Sequence, residues 1–118
     1  QKNVIVTDYL NEATLSLLMS SSTALILPSK DEGFGMPVLQ AWEANIPVIC
    51  SDIPVLREVA DDAALFFNPA KEEDLARCME EVLNKKNVRE ELVSNGKKRL
   101  KKFSWKKNAA TLLSQMRK

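Results

Sequence analysis

Apolar positions in this chain switch between short unbroken runs and a spacing of three to four residues, the pattern of strands alternating with helices. "NVIVTDYL" (Asn3 to Leu10) is rich in β-branched residues and predicts a strand with its exit loop. "NEATLSLLMSSS" follows with Asn11 placed as an N-cap and Leu15, Leu18, Met19 and Ser22 on one helical face. "TALILP" (Thr23 to Pro28) is an apolar run stopped by proline, the signature of a strand covered on both faces. After the loop "SKDEGFG", the stretch "MPVLQAWEAN" predicts a buried helix with Pro37 at its first position. "PVICSD" and "AALFFNP" predict two more strands, separated by a short helix in "PVLREVADD".

The rest of the chain predicts helices only. Leu75, Met79, Val82 and Leu83 form one stripe, and Val88, Leu92, Leu100 and Phe103 a second, broken near Asn95-Gly96. Trp105, Ala109, Leu112, Leu113 and Met116 form a third, with Ser104 as its N-cap. Strands alternating with helices through short connections imply an α/β fold, a doubly wound parallel sheet with helices on both faces and further helices at the C-terminus. Four strands are few for such a sheet, so the expectation is a single domain, residues 1–118, cut short at its N-terminus.

Composition changes this picture little. At 45% apolar and 28% charged residues it is that of a soluble domain, and no apolar run approaches the roughly 20 residues that span a bilayer. There is no His, which removes His-based triads and relays, and Cys50 and Cys78 fit no zinc spacing; two buried reduced thiols of a cytoplasmic protein are expected. Charge distribution is more telling. Residues 1–91 carry eight Lys/Arg against all sixteen Asp/Glu, and residues 92–118 carry nine Lys/Arg and no acid. Lys97, Lys98, Lys101 and Lys102 repeat at helical spacing, a basic face that either stays in solvent or contacts a membrane surface peripherally. No aromatic residues interleave it, so nucleic acid is not expected.

The chemistry concentrates in "PSKDEGFGMPVLQAW" (Pro28 to Trp42). In an open parallel sheet ligands bind beyond the carboxyl ends of the strands, and this loop lies there, before a helix start whose unpaired amides suit phosphate. Gly33 and Gly35 let backbone approach a ligand closely, and Glu32 can accept hydrogen bonds from sugar hydroxyls. On these residues alone, a tight turn with Glu32 in solvent remains an equal alternative. The dinucleotide pattern G-x-G-x-x-G fails at Val38.

The run from "PSKDEGFGMPVLQAWEANIPVICSD" through "IPVLREVADDAALFFNPAKEEDLA" closely resembles the donor-binding domain of the group 1 glycosyltransferases, the retaining GT-B enzymes of glycosyltransferase family four. The likeness extends from about Val4 to the end of the chain, including "FSW" at Phe103 to Trp105. It implies that Glu32 opens the family's E-x7-E motif as the catalytic residue, orienting the donor sugar and supporting its developing positive charge. The amides of Gly33, Phe34, Gly35, Met36, Val38 and Leu39 would lie along the sugar and diphosphate. The second motif Glu, which holds the ribose hydroxyls, is Gln40 here. An amide offers one acceptor oxygen where a carboxylate accepts from two hydroxyls, a difference on the order of 1 kcal/mol. Two family glycines are replaced by Asp8, near where the base would lie, and by Asn45 at the end of the motif helix, where a left-handed cap tolerates Asn.

The resemblance further implies a nucleoside-diphosphate sugar as donor, no metal or other cofactor, and a sugar or lipid-linked acceptor held by a separate N-terminal domain that this chain lacks. The chain is thus expected to be a glycosyltransferase half, cytoplasmic or peripheral to the inner face of the membrane, and inactive by itself. The alternative is a non-catalytic nucleotide-sugar-binding or interaction module.

Overall fold

The computed structural model describes residues 4–8, 10–29 and 36–116, with side-chain surroundings through Phe103. Three parallel strands, β1 (Leu25–Leu27), β2 (Val48–Ser51) and β3 (Leu65–Phe67), pair in that order. Leu25, Ile26 and Leu27 stand opposite Val48, Ile49 and Cys50, and Ile49, Cys50 and Ser51 opposite Leu65, Phe66 and Phe67. Helices α1 (Glu12–Ser20), α2 (Met36–Glu43), α3 (Pro54–Ala60), α4 (Glu72–Asn84) and α5 (Lys86–Met116) are the other elements among the described residues.

The period of two along each strand sorts the core into two layers. Leu25, Leu27, Val48, Cys50 and Phe66 face α1, α2 and α3. Ile26, Ile49, Leu65 and Phe67 face Cys78 and Val82 of α4 and Leu92 of α5. The α/β sheet with helices on both faces is therefore as expected. Every residue of β2 is buried, as a central strand requires, whereas β1 is only half-buried because no strand among the described residues pairs along its outer edge.

The strand expected in "NVIVTDYL" is absent among the described residues. Residues 4–8 are irregular, and Val4, Ile5 and Val6 are exposed by 61, 86 and 90%. β-branched residues favour a pleated surface only where a neighbouring edge supplies the ladder, and this segment does not pair with β1. Three described strands thus stand where the pattern predicted four.

The C-terminal helices also differ from expectation. Residues 86–116 form one helix, with no break at Asn95-Gly96 and Ser104 in its interior rather than at an N-cap. Gly96 stays helical because it is a contact point: a Cβ there would stand 2.8 Å from Cγ and Nε1 of the Trp42 indole. Around it α5 passes from one layer to the other, Leu92 packing with α4 and Leu100 and Phe103 with the α1–α3 side. In α4 the buried stripe is Cys78 and Val82 with Leu75 half-buried, while Met79 and Leu83 are exposed by 38 and 58%. On α1, Met19 is buried and Leu15 half-buried, but Leu18 is half-exposed.

Polar groups fix the helix ends. Asn11 caps α1, its side-chain oxygen accepting from the Thr14 amide at 2.8 Å. Asn45, after α2, has φ 61°, the left-handed cap expected of it. Two arginines of α5 cap other helices. Arg89 donates to the carbonyls of Val82 and Leu83 at the end of α4, at 2.6 and 3.0 Å. Arg99 donates to those of Glu58 and Val59 in α3, at 2.8 and 3.0 Å. A cation there meets the negative end of the helix dipole as well as orphan carbonyls.

Candidate functional site

The three strands end together at Leu27, Ser51 and Phe67, and the connectors that follow form the carboxyl edge of the sheet. β1 ends and α2 begins at this edge, which is where a doubly wound sheet binds ligands. Glu32, Gly33, Phe34 and Gly35 lie outside the described residues. Met36 is the first residue of α2 and Pro37 the second. In the first turn of any helix the amides lack intrahelical partners, so Met36, Val38 and Leu39 present three N–H groups toward that edge, and Pro37 has none to give.

Those amides are rigidly placed. Val38 and Leu39 are buried, with Ala41 and Trp42 beside them, so their side chains belong to the core. Trp42 is anchored twice, by packing on Gly96 and by an Nε1–H that donates to the Ala63 carbonyl at 3.2 Å. The buried hydroxyl of Ser51 donates to the Leu27 carbonyl at 3.4 Å, tying the carboxyl ends of β1 and β2 together.

Beyond β2, Arg57 of α3 holds Asp52 through two hydrogen bonds, 2.7 and 3.0 Å long, and its guanidinium lies 4.0 Å from the centre of the Phe66 ring. The Arg57 hydrogen bond pulls the Asp52 carboxyl below its usual range, and Asp52 raises Arg57 in return. With two of its donors taken, Arg57 is a fixed, largely neutralised cation at this edge. Burial pushes the Cys50 thiol up to about 12, so it stays protonated and inert, and Cys78 shifts the same way for the same cause. Both cysteines are free and buried, as expected. Among the described residues no group of His, Cys, Asp and Glu could hold a metal ion, and no helix is long and apolar enough to cross a membrane.

Gln40 is half-buried and lines a groove of about 260 Å³ between α1 and α2, facing Glu12, Leu15, Ser16 and Met19 with Glu43 alongside. Sequence reasoning found Gln40 but not the groove. Glu12 reads as an ordinary first-turn acid until α1 and α2 are packed side by side. The Asp52–Arg57 pair was equally hidden, because neither residue belongs to a recognisable spacing.

Comparison with known proteins agrees with this geometry. The family model described as glycosyl transferases group 1 matches residues 1–99. The O-antigen chain mannosyltransferase RfbU of Salmonella typhimurium is 52% identical over 58 residues, which are 49% of this chain and 16% of that protein. The serotype-specific mannosyltransferase WbdA of Escherichia coli is 33% identical over 107 residues, 91% of this chain and 13% of its own. The O-antigen chain mannosyltransferase B of Escherichia coli is 32% identical over 97 residues, 82% of this chain and 26% of its own. The chain therefore spans about a quarter or less of these relatives. In three dimensions it superposes on sucrose-phosphate synthase from Thermosynechococcus elongatus with a TM-score of 0.85 at 23% identity, covering 98% of this chain and 30% of that one. At that identity the likeness speaks for the fold, a Rossmann-like GT-B domain. With the family match over residues 1–99 and mannosyltransferase relatives along most of its length, this chain belongs to the group 1 glycosyltransferases.

Proposed function

We propose that this chain is the donor-binding part of a retaining glycosyltransferase, which moves a sugar from a nucleoside-diphosphate sugar to a hydroxyl acceptor when an acceptor-binding domain stands opposite it. The observation that carries this reading is that β1 ends and α2 begins at the carboxyl edge of a parallel sheet in a chain of this family. The sugar assigned is mannose, because RfbU, WbdA and mannosyltransferase B are all named mannosyltransferases.

In this reading Glu32 contacts the sugar, orients it and supports the positive charge that develops as the glycosidic bond to phosphate breaks. The amides of Gly33, Phe34 and Gly35 run along the sugar. Those of Met36, Val38 and Leu39, aided by the positive end of the α2 dipole, take up the negative charge of the departing diphosphate. Placing fixed donors where charge develops is the largest demand of such a reaction, and the donors here are backbone atoms held by a buried helix. Gln40 takes part in holding the nucleotide. The reading assigns no metal or other cofactor. It places the protein in the cytoplasm, where the lysine face of α5 can rest on anionic headgroups of the membrane's inner face.

The test is a Glu32→Ala variant of the full two-domain protein, assayed with nucleoside-diphosphate mannose and a hydroxyl acceptor. Turnover should fall by roughly a hundredfold or more with folding intact, and product from the unsubstituted enzyme should keep the donor's anomeric configuration. Wild-type turnover in the variant would overturn the assignment of Glu32, and an inverted product the retaining mechanism. A full-length protein that binds nucleotide sugar and transfers nothing is a binding module, the reading that Gln40 favours.

A further inference from the structure

We propose that a groove at the amino edge of the sheet docks an acidic, extended segment of a partner protein; this goes beyond the donor reading and does not depend on it. Thr23 precedes β1 and Pro47 precedes β2, and with Arg89, Val93 and Lys97 of α5 they line a groove of about 600 Å³, a size usual for ligand-binding clefts. Along α5 these three residues follow one another at intervals of four, which puts them on one face and the two cations about 12 Å apart. Glu90 also lines the groove, but its carboxylate lies 3.8 Å from the Lys86 ammonium. The groove therefore carries a net positive charge at the end of the strands opposite the donor edge.

Arg89 is set for a carboxylate. It is half-buried, and Nη1 donates to the Val82 and Leu83 carbonyls, which fixes the guanidinium without an acid to neutralise it. Its Nε–H and Nη2 donors have no partner among the described residues, and they are the side-by-side pair with which Arg57 grips Asp52. Exposed Lys97 makes no ion pair among the described residues either. Two features favour a peptide over a phosphate. The hydroxyls of Ser20 and Ser22 already donate to the Leu17 and Leu18 carbonyls, at 3.0 and 2.8 Å, so they keep only lone pairs for a ligand. Lone pairs repel phosphate oxygens and accept from the N–H groups of an extended chain, which a helix would have spent internally. Midway between the cations, half-buried Val93 stands with buried Ile46 and Pro47 as an apolar floor. In an extended chain, residues four apart share a face and stand about 13 Å from each other. The matching pattern is acid–x–apolar–x–acid, with carboxylates on Arg89 and Lys97 and the apolar side chain on Val93.

The probe is a capped peptide of that pattern, acetyl-TETLTET-amide, titrated into the isotope-labelled chain in phosphate-free buffer and followed through backbone amide shifts. The shifts should saturate and concentrate at residues 20–23, 45–47 and 89–97, and the neutral form acetyl-TQTLTQT-amide should bind about fivefold more weakly or worse. Lys97→Glu, at an exposed position, should weaken the acidic peptide about fivefold with the fold unchanged. Arg89→Gln should do the same; if loss of its hydrogen bonds to α4 unfolds that variant, Lys97→Glu still decides. Equal binding of the acidic and neutral peptides, shifts centred elsewhere, or no saturable binding refutes the proposal. Inorganic phosphate or glycerol phosphate shifting the same amides as strongly as the peptide refutes it too, and makes the groove a general anion site open to lipid headgroups.

Discussion

Trp42 and Gly96 show how much depends on single positions. The indole is 1% exposed, and its ring occupies the space that a side chain on residue 96 would need. Two effects oppose each other in a Gly96→Ala variant. Alanine gains about 1 kcal/mol of helix propensity over glycine, but a methyl pressed into a rigid, hydrogen-bonded indole costs about 1–3 kcal/mol or more. The clash should win, because Trp42 is pinned by Ala63 and cannot rotate away without losing its hydrogen bond. A lower urea midpoint with an unchanged slope is expected; a midpoint equal to or above that of the parent would mean that the indole gives way. Sequence alone marks Gly96 as a helix interruption, since glycine is the residue most costly to a helix after proline. Its retention inside α5 is a packing fact, and packing partners distant in the chain leave no local trace. Asn45 is the opposite case: its left-handed φ follows from residue type and position alone, and it was legible in advance.

At the scale of elements, local periodicity carried the order of strands and helices and the two-layer plan, and failed where a neighbour decides. "NVIVTDYL" has strand composition, yet Val4, Ile5 and Val6 lie exposed because a strand exists only as part of a ladder. In α4 the sequence contains two overlapping apolar stripes. Leu75, Cys78 and Val82 pack into the layer against the sheet, while Met79 and Leu83 stay partly exposed along an apolar groove with Ala24, Ile26 and Ile49, a difference fixed by the neighbouring elements rather than by hydropathy. The energetic consequence is direct. Val82→Ala removes two buried methyl groups and should cost about 2 kcal/mol. Leu83→Ala, at a position 58% exposed, should change stability by less than about 0.5 kcal/mol. Chemical denaturation of the two variants checks this, and comparable losses would show that the stripe runs through Leu83 instead. The candidate site was legible to the same extent as the elements. The connector and the start of α2 follow from strand-then-helix order, while the α1–α2 groove needed two helices brought together.

The whole molecule is divided by charge as the sheet divides it by layer. With all sixteen acids before residue 92, the four lysines at 97, 98, 101 and 102 lie exposed on one long helix that contains no acid after Glu91. Arg99 does not join that face, because it is turned inward to the carbonyls of Glu58 and Val59 and stacks 5.1 Å from the Phe103 ring. Asp61 and Asp62 flank Lys98 and Lys102 across a shallow groove and reduce the field there, Asp61 standing 4.0 Å from Arg99. Lys97 and Lys101 are not among the residues that line that groove. A basic residue near an anionic lipid surface contributes about 1 kcal/mol, so a face of this size should give measurable but salt-sensitive attraction. The chain should therefore sediment with phosphatidylcholine vesicles containing phosphatidylglycerol at low ionic strength and release from them in roughly 0.5 M salt, where the screening length is only a few ångströms. Replacing the four lysines by glutamate should abolish sedimentation without changing the fold, since all four side chains are exposed. Salt-resistant sedimentation, or sedimentation unchanged in that variant, would place the membrane contact on the exposed apolar residues Val4, Ile5 and Val6 and leave the lysine face to solvent.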